Sequence, residues 1–412
     1  MNILHTSDWH LGHGLHNTPR EYEHQCFLDW LAETLAKTDA DALIVAGDIY
    51  DSSNPPSSAQ RALYDFLARI QRERPRHFKT IIVGGNHDSA IRLDAPSPLL
   101  DSLNIHVVGG VPKKGGERDL DRLTVPLKDK AGNITAWVAA MPFIRVPDLP
   151  PCSPEQGRDS MVEGVRRLYA ELFAHVETKR EPHQALLATG HCYMHAAQLS
   201  EFSERKILGG NQHALPADIF PPEVTYAALG HIHKAQQVEG LAHIRYSGSP
   251  LPLSFAEKDY THQVNLIKLD GPRLAGVTEL AVPRTVAMLS LKDVDADNLE
   301  DALADLPEMP ELIAEEQRPY LEVGVALNKP EAGLRHRIEL ALEGKSPRLL
   351  KLTLARKQKG GALADTVTES LQEMKAEEVF SRRYRQVHHE DPPGDLLAMF
   401  HELVELVARE DT

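Results

Sequence analysis

Over the first two-thirds of the chain, apolar residues come in short runs separated by turn-forming stretches. The runs at 2–6, 42–46, 80–84, 105–108, 134–141, 185–190, 225–230, 243–247 and 263–269 predict strands. Between the early ones, near 21–37 and 57–73, the spacing changes to the helical repeat. In the first of these, Phe27, Leu28, Leu31 and Leu35 recur at helical spacing. Strands alternating with helices predict an α/β (or α+β) domain of layered sheets, here assigned to 1–282.

From about residue 283 the pattern reads strand, helix, strand, helix, strand, carried by "VAMLSL", "NLEDALADL", "YLEVGVAL", "GLRHRIELALE" and "RLLKLTLAR". This predicts a second, compact α/β domain over 283–355, of a size that can fold alone. "RKQKGG" (356–361) reads as a linker opening a C-terminal helical tail, 356–412. One tail helix is expected near 364–381. Another, over 394–409, has apolar side chains on about two-thirds of its circumference, wider than the usual stripe. Such a helix either packs on its own domain or docks in a groove on a partner, and docking is the favoured reading.

Composition narrows the class. The opening "MNILHTSDWH" lacks the basic and apolar regions of a signal peptide. "ITAWVAAMPFI" falls well short of the roughly 20 residues that span a bilayer. Three scattered cysteines (Cys26, Cys152, Cys192) give neither a disulfide framework nor a thiolate zinc site. A cytoplasmic protein without membrane attachment is expected. The net charge of −15 argues against a chain coated by nucleic acid, unless bound cations or a local basic patch dominate the site. Candidates for such a patch are Arg356, Lys357 and Lys359, and Arg382, Arg383 and Arg385.

The candidate chemistry sits at the ends of the predicted strands. They run out into Asp8-Trp9-His10, Gly47-Asp48 (with Asp51 beyond), Gly-Asn86-His87-Asp88, Gly190-His191 and Gly230-His231-Ile-His233. Alone, an aspartate at such a place is more often a helix cap, and a histidine a packing or surface residue. Five strand ends bearing Asp, Asn or His are another matter, because sites in layered α/β folds form where the carboxyl ends of strands converge. Carboxylate, amide and imidazole donors without thiolates suit a hard-to-intermediate divalent ion such as Mn²⁺. The set is too large for one ion. Two ions sharing a carboxylate form a clamp suited to phosphate esters.

These stretches, "HTSDWHLG", "VAGDIYDSSNPP", "GGNHDS" and "ALGHIHKAQ", resemble the calcineurin-like metallophosphoesterases, and with "RYSGSPLPLSF" the DNA nucleases among them. The likeness covers roughly 1–282 and continues in outline into the tail at "EEVFSRR". It implies an αββα sandwich, with the 283–355 domain capping the site and orienting DNA. Asp8, His10 and His233 are then implied to hold one Mn²⁺ and Asn86, His191 and His231 a second, with Asp48 bridging and Mg²⁺ the alternative metal. Hydroxide attack on the phosphodiester is implied, with His87 assisting the leaving oxygen, Asp88 orienting His87 or its loop, and Asp51 near the substrate.

The implied activity is endonucleolytic on single strands and hairpins, and exonucleolytic on duplex ends under ATP control. This chain has no Gly-x₄-Gly-Lys-Ser/Thr loop, so ATP turnover is assigned to a coiled-coil ATPase partner. A homodimer of this subunit within a heterotetramer is also implied. A cyclic nucleotide phosphodiesterase or a phosphatase would use the same ligands and is the alternative. A scaffold without metal would have lost ligands, whereas every expected position is filled.

Overall fold

The computed structural model describes residues 1–150, 160–198, 214–327 and 333–356, together with 380, 381, 383–385, 392 and 396. Both expected tail helices lie almost wholly outside the described residues, as do Lys357, Lys359 and Arg382. Two compact units are present: Met1–His13, Glu21–Ile207 and Asn211–Pro283 form the first, and Arg284 onward, with Gly14–Arg20, belongs to the second.

The strands of the first unit are β1 (Asn2–Thr6), β2 (Ala42–Ala46), β3 (Lys79–Val83), β4 (Ile105–Val108), β5 (Thr124–Lys128) and β6 (Ile134–Ala139). They continue as β7 (Ala185–His191), β8 (Tyr226–Gly230), β9 (Gln236–Val238), β10 (Leu241–Tyr246), β11 (Gln263–Asp270) and β12 (Arg273–Ala281). They make two six-stranded sheets, ordered β12-β11-β1-β2-β3-β4 and β9-β10-β8-β7-β6-β5. The centre of each is parallel: β1 through β4 in the first, and β6, β7, β8 and β10 in the second.

Side chains of a strand alternate between its two faces, so a strand buried on both reads as an unbroken apolar run. Ile3, Ile44, Ile81 and Val83 join Val138, Leu187 and Leu229 of the second sheet in one core. Their neighbours Leu4, Leu43, Val45 and Ile82 turn the other way, onto Phe27 and Leu31 of helix α1 (Glu21–Lys37) and Leu63 and Phe66 of α2 (Ser57–Glu73). A third helix, α3 (Ser160–Glu177), packs Leu168 and Leu172 into the first core. The layers run helix, sheet, sheet, helix: an αββα sandwich. Each fully buried Leu or Ile in it contributes roughly 1.5–3 kcal/mol.

In the second unit, β13 (Met288–Asp295), β14 (Tyr320–Leu327) and β15 (Arg348–Arg356) form a three-stranded parallel sheet. Helices Leu299–Ala304 and Leu334–Ala341 supply Leu299, Leu303, Leu334 and Ile338 to its core with Leu321, Val323 and Val325. Gly344-Lys345-Ser346 is a turn rather than a phosphate loop, since Lys345 Nζ is tied to Glu308 and the Ala304 carbonyl at 2.6 Å each. Among the described residues no helix is long and apolar enough to cross a membrane.

Candidate metal centre

The loops that follow β1 and β2 run on together after the strands end. The Asp8 amide donates to the Gly47 carbonyl at 2.9 Å, His10 to Asp48 at 3.1 Å and Leu11 to Ile49 at 2.9 Å. To do so the backbone takes left-handed values at Asp8 (φ 54°), His10 (46°) and Asp48 (50°), and on the second sheet His231 reaches 101°. Each such non-glycine residue costs on the order of 1–3 kcal/mol and persists only where its surroundings over-determine it. The glycines before the polar residues are there for space. A Cβ on Gly85 would lie 2.1 Å from Asp48 Oδ1, and one on Gly230 would lie 2.0 Å from the Ala46 carbonyl oxygen.

These loops bring three overlapping groups together, each with donor atoms within 4.8 Å of one another: Asp8, His10 and His233; His10, Asp48 and His87; Asp8, Asp48 and His191. Asn86 joins them, its Oδ1 2.9 Å from His191 Nε2 and 3.1 Å from His231 Nδ1. Three imidazoles are held from behind. His191 Nδ1–H donates to the Ala46 carbonyl at 2.9 Å, His10 Nδ1 sits 3.2 Å from Asp51 Oδ1, and His233 Nδ1 sits 2.9 Å from Glu257 Oε1. Asp8 is fixed by the His231 amide at 2.9 Å and by the Ser7 hydroxyl, itself 2.8 Å from that of Ser247.

The electrostatics call for a cation. Asp8 and Asp48 are 0% and 1% exposed, and the groups paired with Asp48 are imidazoles: His191 at 3.3 Å, His10 at 3.6 Å and His87 at 4.0 Å. Burial alone would raise the Asp48 carboxyl, but these three imidazoles pull it well below the usual carboxylate range. Burial lowers His191, yet the Asp48 charge outweighs it and raises the imidazole to about 9. A metal ion held at His191 would have to compete with the proton that Asp48 favours there. Burial and the neighbouring His191 hold His231 well below its ordinary value. His10 Nε2 is buried without a hydrogen-bond partner. Buried carboxylates among imidazoles, one of them with a ring nitrogen that makes no hydrogen bond, fit divalent cations, since buried charge that is incompletely compensated costs several kcal/mol.

The ten residues singled out in the sequence converge on this one place. His87 is half-buried, its ring centroid 4.7 Å from that of His10. Its Nδ1 is 2.7 Å from the main-chain carbonyl oxygen of Asp51, which orients the ring, and its amide donates to Asp48 Oδ1 at 2.9 Å. Of the two tasks expected of Asp88, the geometry favours the loop. Its carboxylate accepts the amides of Gly85 (2.8 Å), Tyr50 (3.0 Å) and Ile49 (3.1 Å). Burial, then the charge of Asp48, raises that carboxyl to about 6 against those three donors. Asp51 backs His10 through its side chain, and the imidazole holds its carboxyl far below the ordinary value despite burial. The sequence reading did not assign roles to Glu257, Ser7 and Ser247. The contacts that tie Glu257 to His233 and Ser247 to Ser7 span 24 and 240 residues, and Ser7, although it donates to the adjacent Asp8, reads locally as an ordinary strand-end serine.

The calcineurin-like phosphoesterase family model matches residues 1–235, and the model described as type 5 capsule protein repressor C-terminal domain matches 284–388. The D component of nuclease SbcCD from Rhodobacter capsulatus is 39% identical over 364 residues, covering 86% of this chain and 88% of that protein. The protein of the same name from Escherichia coli K12 is 33% identical over 93% of this chain and 92% of its own length. That of Bacillus subtilis is 29% identical over 65% and 66%. The chain belongs to the calcineurin-like phosphoesterase family, in the branch that contains the SbcD proteins of the SbcCD nucleases.

Proposed function

We propose that this chain is the manganese-dependent nuclease component of a complex with an SbcC-type coiled-coil ATPase. It nicks single-stranded and hairpin DNA, and with its partner degrades duplex ends under ATP control in DNA repair and recombination. One observation supports this above the others: two fully buried aspartates and five histidines meet at strand ends, and among the described residues no lysine or arginine is paired with Asp48.

Asp8, His10 and His233 would hold one cation and Asn86, His191 and His231 the other, with Asp48 shared. Bound there, a pair of divalent ions supplies an activated water and charge neutralisation at the phosphate. The chain's own residues do the rest. Asp88 ties the β3 loop to the β2 loop through the Gly85, Ile49 and Tyr50 amides, keeping Asn86 and Asp48 in register. His87, with Nδ1 engaged by the Asp51 carbonyl, presents Nε2 and can pass a proton from it to the leaving oxygen.

The test compares Mn²⁺-dependent nicking of a radiolabelled hairpin by the isolated chain with turnover of a cyclic nucleotide. Hairpin nicking that stops with EDTA is the expected result; cyclic nucleotide hydrolysis with the hairpin left intact would refute the nuclease reading. Deleting 391–412 is expected to abolish co-purification with SbcC and spare hairpin nicking. Retained association would return the tail to its own domain.

A further inference from the structure

Glu257 is a carboxylate with no exposure at all, placed in a short turn (Phe255–Glu257) well downstream of the last metal-bearing strand end. Glutamate is almost never fully buried unless paired. Here Oε1 lies 2.9 Å from His233 Nδ1, and Oε2 accepts the Leu253 amide at 2.7 Å. The turn is braced. Ser254 Oγ accepts the Ala256 amide at 3.2 Å, and the buried His262 ring lies between the Ser249 carbonyl (2.8 Å) and the Glu257 carbonyl (3.3 Å).

With Oε2 taken up by the Leu253 amide, Oε1 is aimed at Nδ1 of His233 at 2.9 Å, the arrangement in which a carboxylate fixes an imidazole's tautomer by accepting from Nδ1–H. With Nδ1 engaged by Glu257, His233 still forms one group with Asp8 and His10, their donor atoms within 4.8 Å of one another. We propose that Glu257 is a positioning residue that fixes the tautomer and orientation of His233, and so prepares the Asp8–His10–His233 half of the centre for its cation. The inference rests on the metal-centre reading above and assigns it a residue outside the strand-end motifs. His191 shows the weaker version of the device, a main-chain carbonyl at 2.9 Å in place of a charge. A carboxylate also raises the basicity of the ligand nitrogen.

Glu257→Gln sharpens this into a test. Glutamine has one acceptor oxygen and one NH₂. If the oxygen keeps the Leu253 amide, the NH₂ faces His233 Nδ1 and moves the ring proton to Nε2, blocking the ligand atom. The full chain, stripped of metal, is titrated with Mn²⁺ by calorimetry, and its ¹⁵N-labelled histidines are read by NMR for tautomer. The expected result is one site weakened 10–100-fold with the other unchanged, and the His233 signal switched from Nδ1–H to Nε2–H.

Unchanged affinities with the Nδ1–H tautomer retained would overturn the proposal. So would equal weakening of both sites without a tautomer switch, which marks a general structural role. The tautomer reading stays decisive even where the metal-free melting temperature falls. Wild-type chain that binds no Mn²⁺ sinks the metal-centre reading itself, and is thereby told apart from a failure of Glu257.

Discussion

Both units place an aspartate at or just beyond the end of a strand, and the two outcomes differ. In the second unit, Asp295 closes β13 half-exposed, and its side chain accepts the Asp297 amide at 3.4 Å to cap the following turn. In the first, Asp8 follows β1 fully buried on left-handed backbone, fixed by the His231 amide and Ser7 and facing imidazoles. Strand-end chemistry is therefore not a property of the residue type. It arises where several strand ends from two sheets are forced together out of water, leaving the charge a choice between a cation and a large desolvation cost. The three-stranded sheet of the second unit, built by the same apolar rule, gathers no such set among the described residues.

The strongest way to break this contrast is to remove the shared carboxylate. Asp48→Ala takes away the one carboxylate oxygen that His10, His87 and His191 share, at 3.6, 4.0 and 3.3 Å. Mn²⁺ stoichiometry, measured by plasma emission after dialysis, should fall below two. Hairpin nicking should drop by at least about 10⁴-fold, because the ions carry most of a barrier reduction on the order of 20 kcal/mol. Asp295→Ala, the matched change in the second unit, should cost about 1 kcal/mol of stability and leave metal content alone. Equal losses from the two would erase the distinction drawn above.

His87→Ala should come next. Metal content stays at the wild-type level, while kcat for hairpin nicking falls about 10²–10⁴-fold, the range for losing a general acid. Full activity in this variant would leave His87 as mere packing against His10.

How the site could be read in advance follows from the same contrast. The strands beneath it were legible because buried parallel strands are unbroken apolar runs, and α1 and α2 were legible to the residue from their spacing. The candidate ligands could be picked out because each lies at the end of such a run or within a few residues of it. Helix α3 was passed over, although Val165, Leu168, Tyr169, Leu172, Phe173 and Val176 keep helical spacing and are buried. The two-residue hairpin strands Lys113–Lys114 and Glu117–Arg118 left no apolar run to read. Glu257 was out of reach for a different reason. Its meaning is a contact across the fold, and a glutamate after Phe-Ala in a Pro-rich stretch reads as a surface residue.

The backbone of the site offers a sharper probe than its side chains. Gly85→Ala would place a Cβ 2.1 Å from Asp48 Oδ1 and 2.3 Å from its amide nitrogen, so backbone has to move. The expected cost is about 1–3 kcal/mol from overpacking, with weakened Mn²⁺ binding because the ligand loops shift apart. Thermal unfolding of the metal-free chain and calorimetric titration measure the two effects separately. A stability loss with unchanged Mn²⁺ affinity would mean that the loops are positioned by something other than their close approach.

The smallest effect is expected at the matched glycine of the second unit. Gly324 lies in β14 opposite Thr353 of β15, and a Cβ there would meet Thr353 Oγ1 at 3.1 Å and the Asp293 amide nitrogen at 3.6 Å. The nearest atom is a hydroxyl on a side chain that can turn aside, not main chain. Alanine also restricts the unfolded state more than glycine, which favours folding by about 0.4–1 kcal/mol. The two terms nearly cancel, so Gly324→Ala should move stability by less than about 1 kcal/mol and leave Mn²⁺ binding and nicking untouched. Should it instead cost as much as Gly85→Ala, tight packing alone would account for both glycines, and the crowding around Asp48 would lose its link to the metal centre.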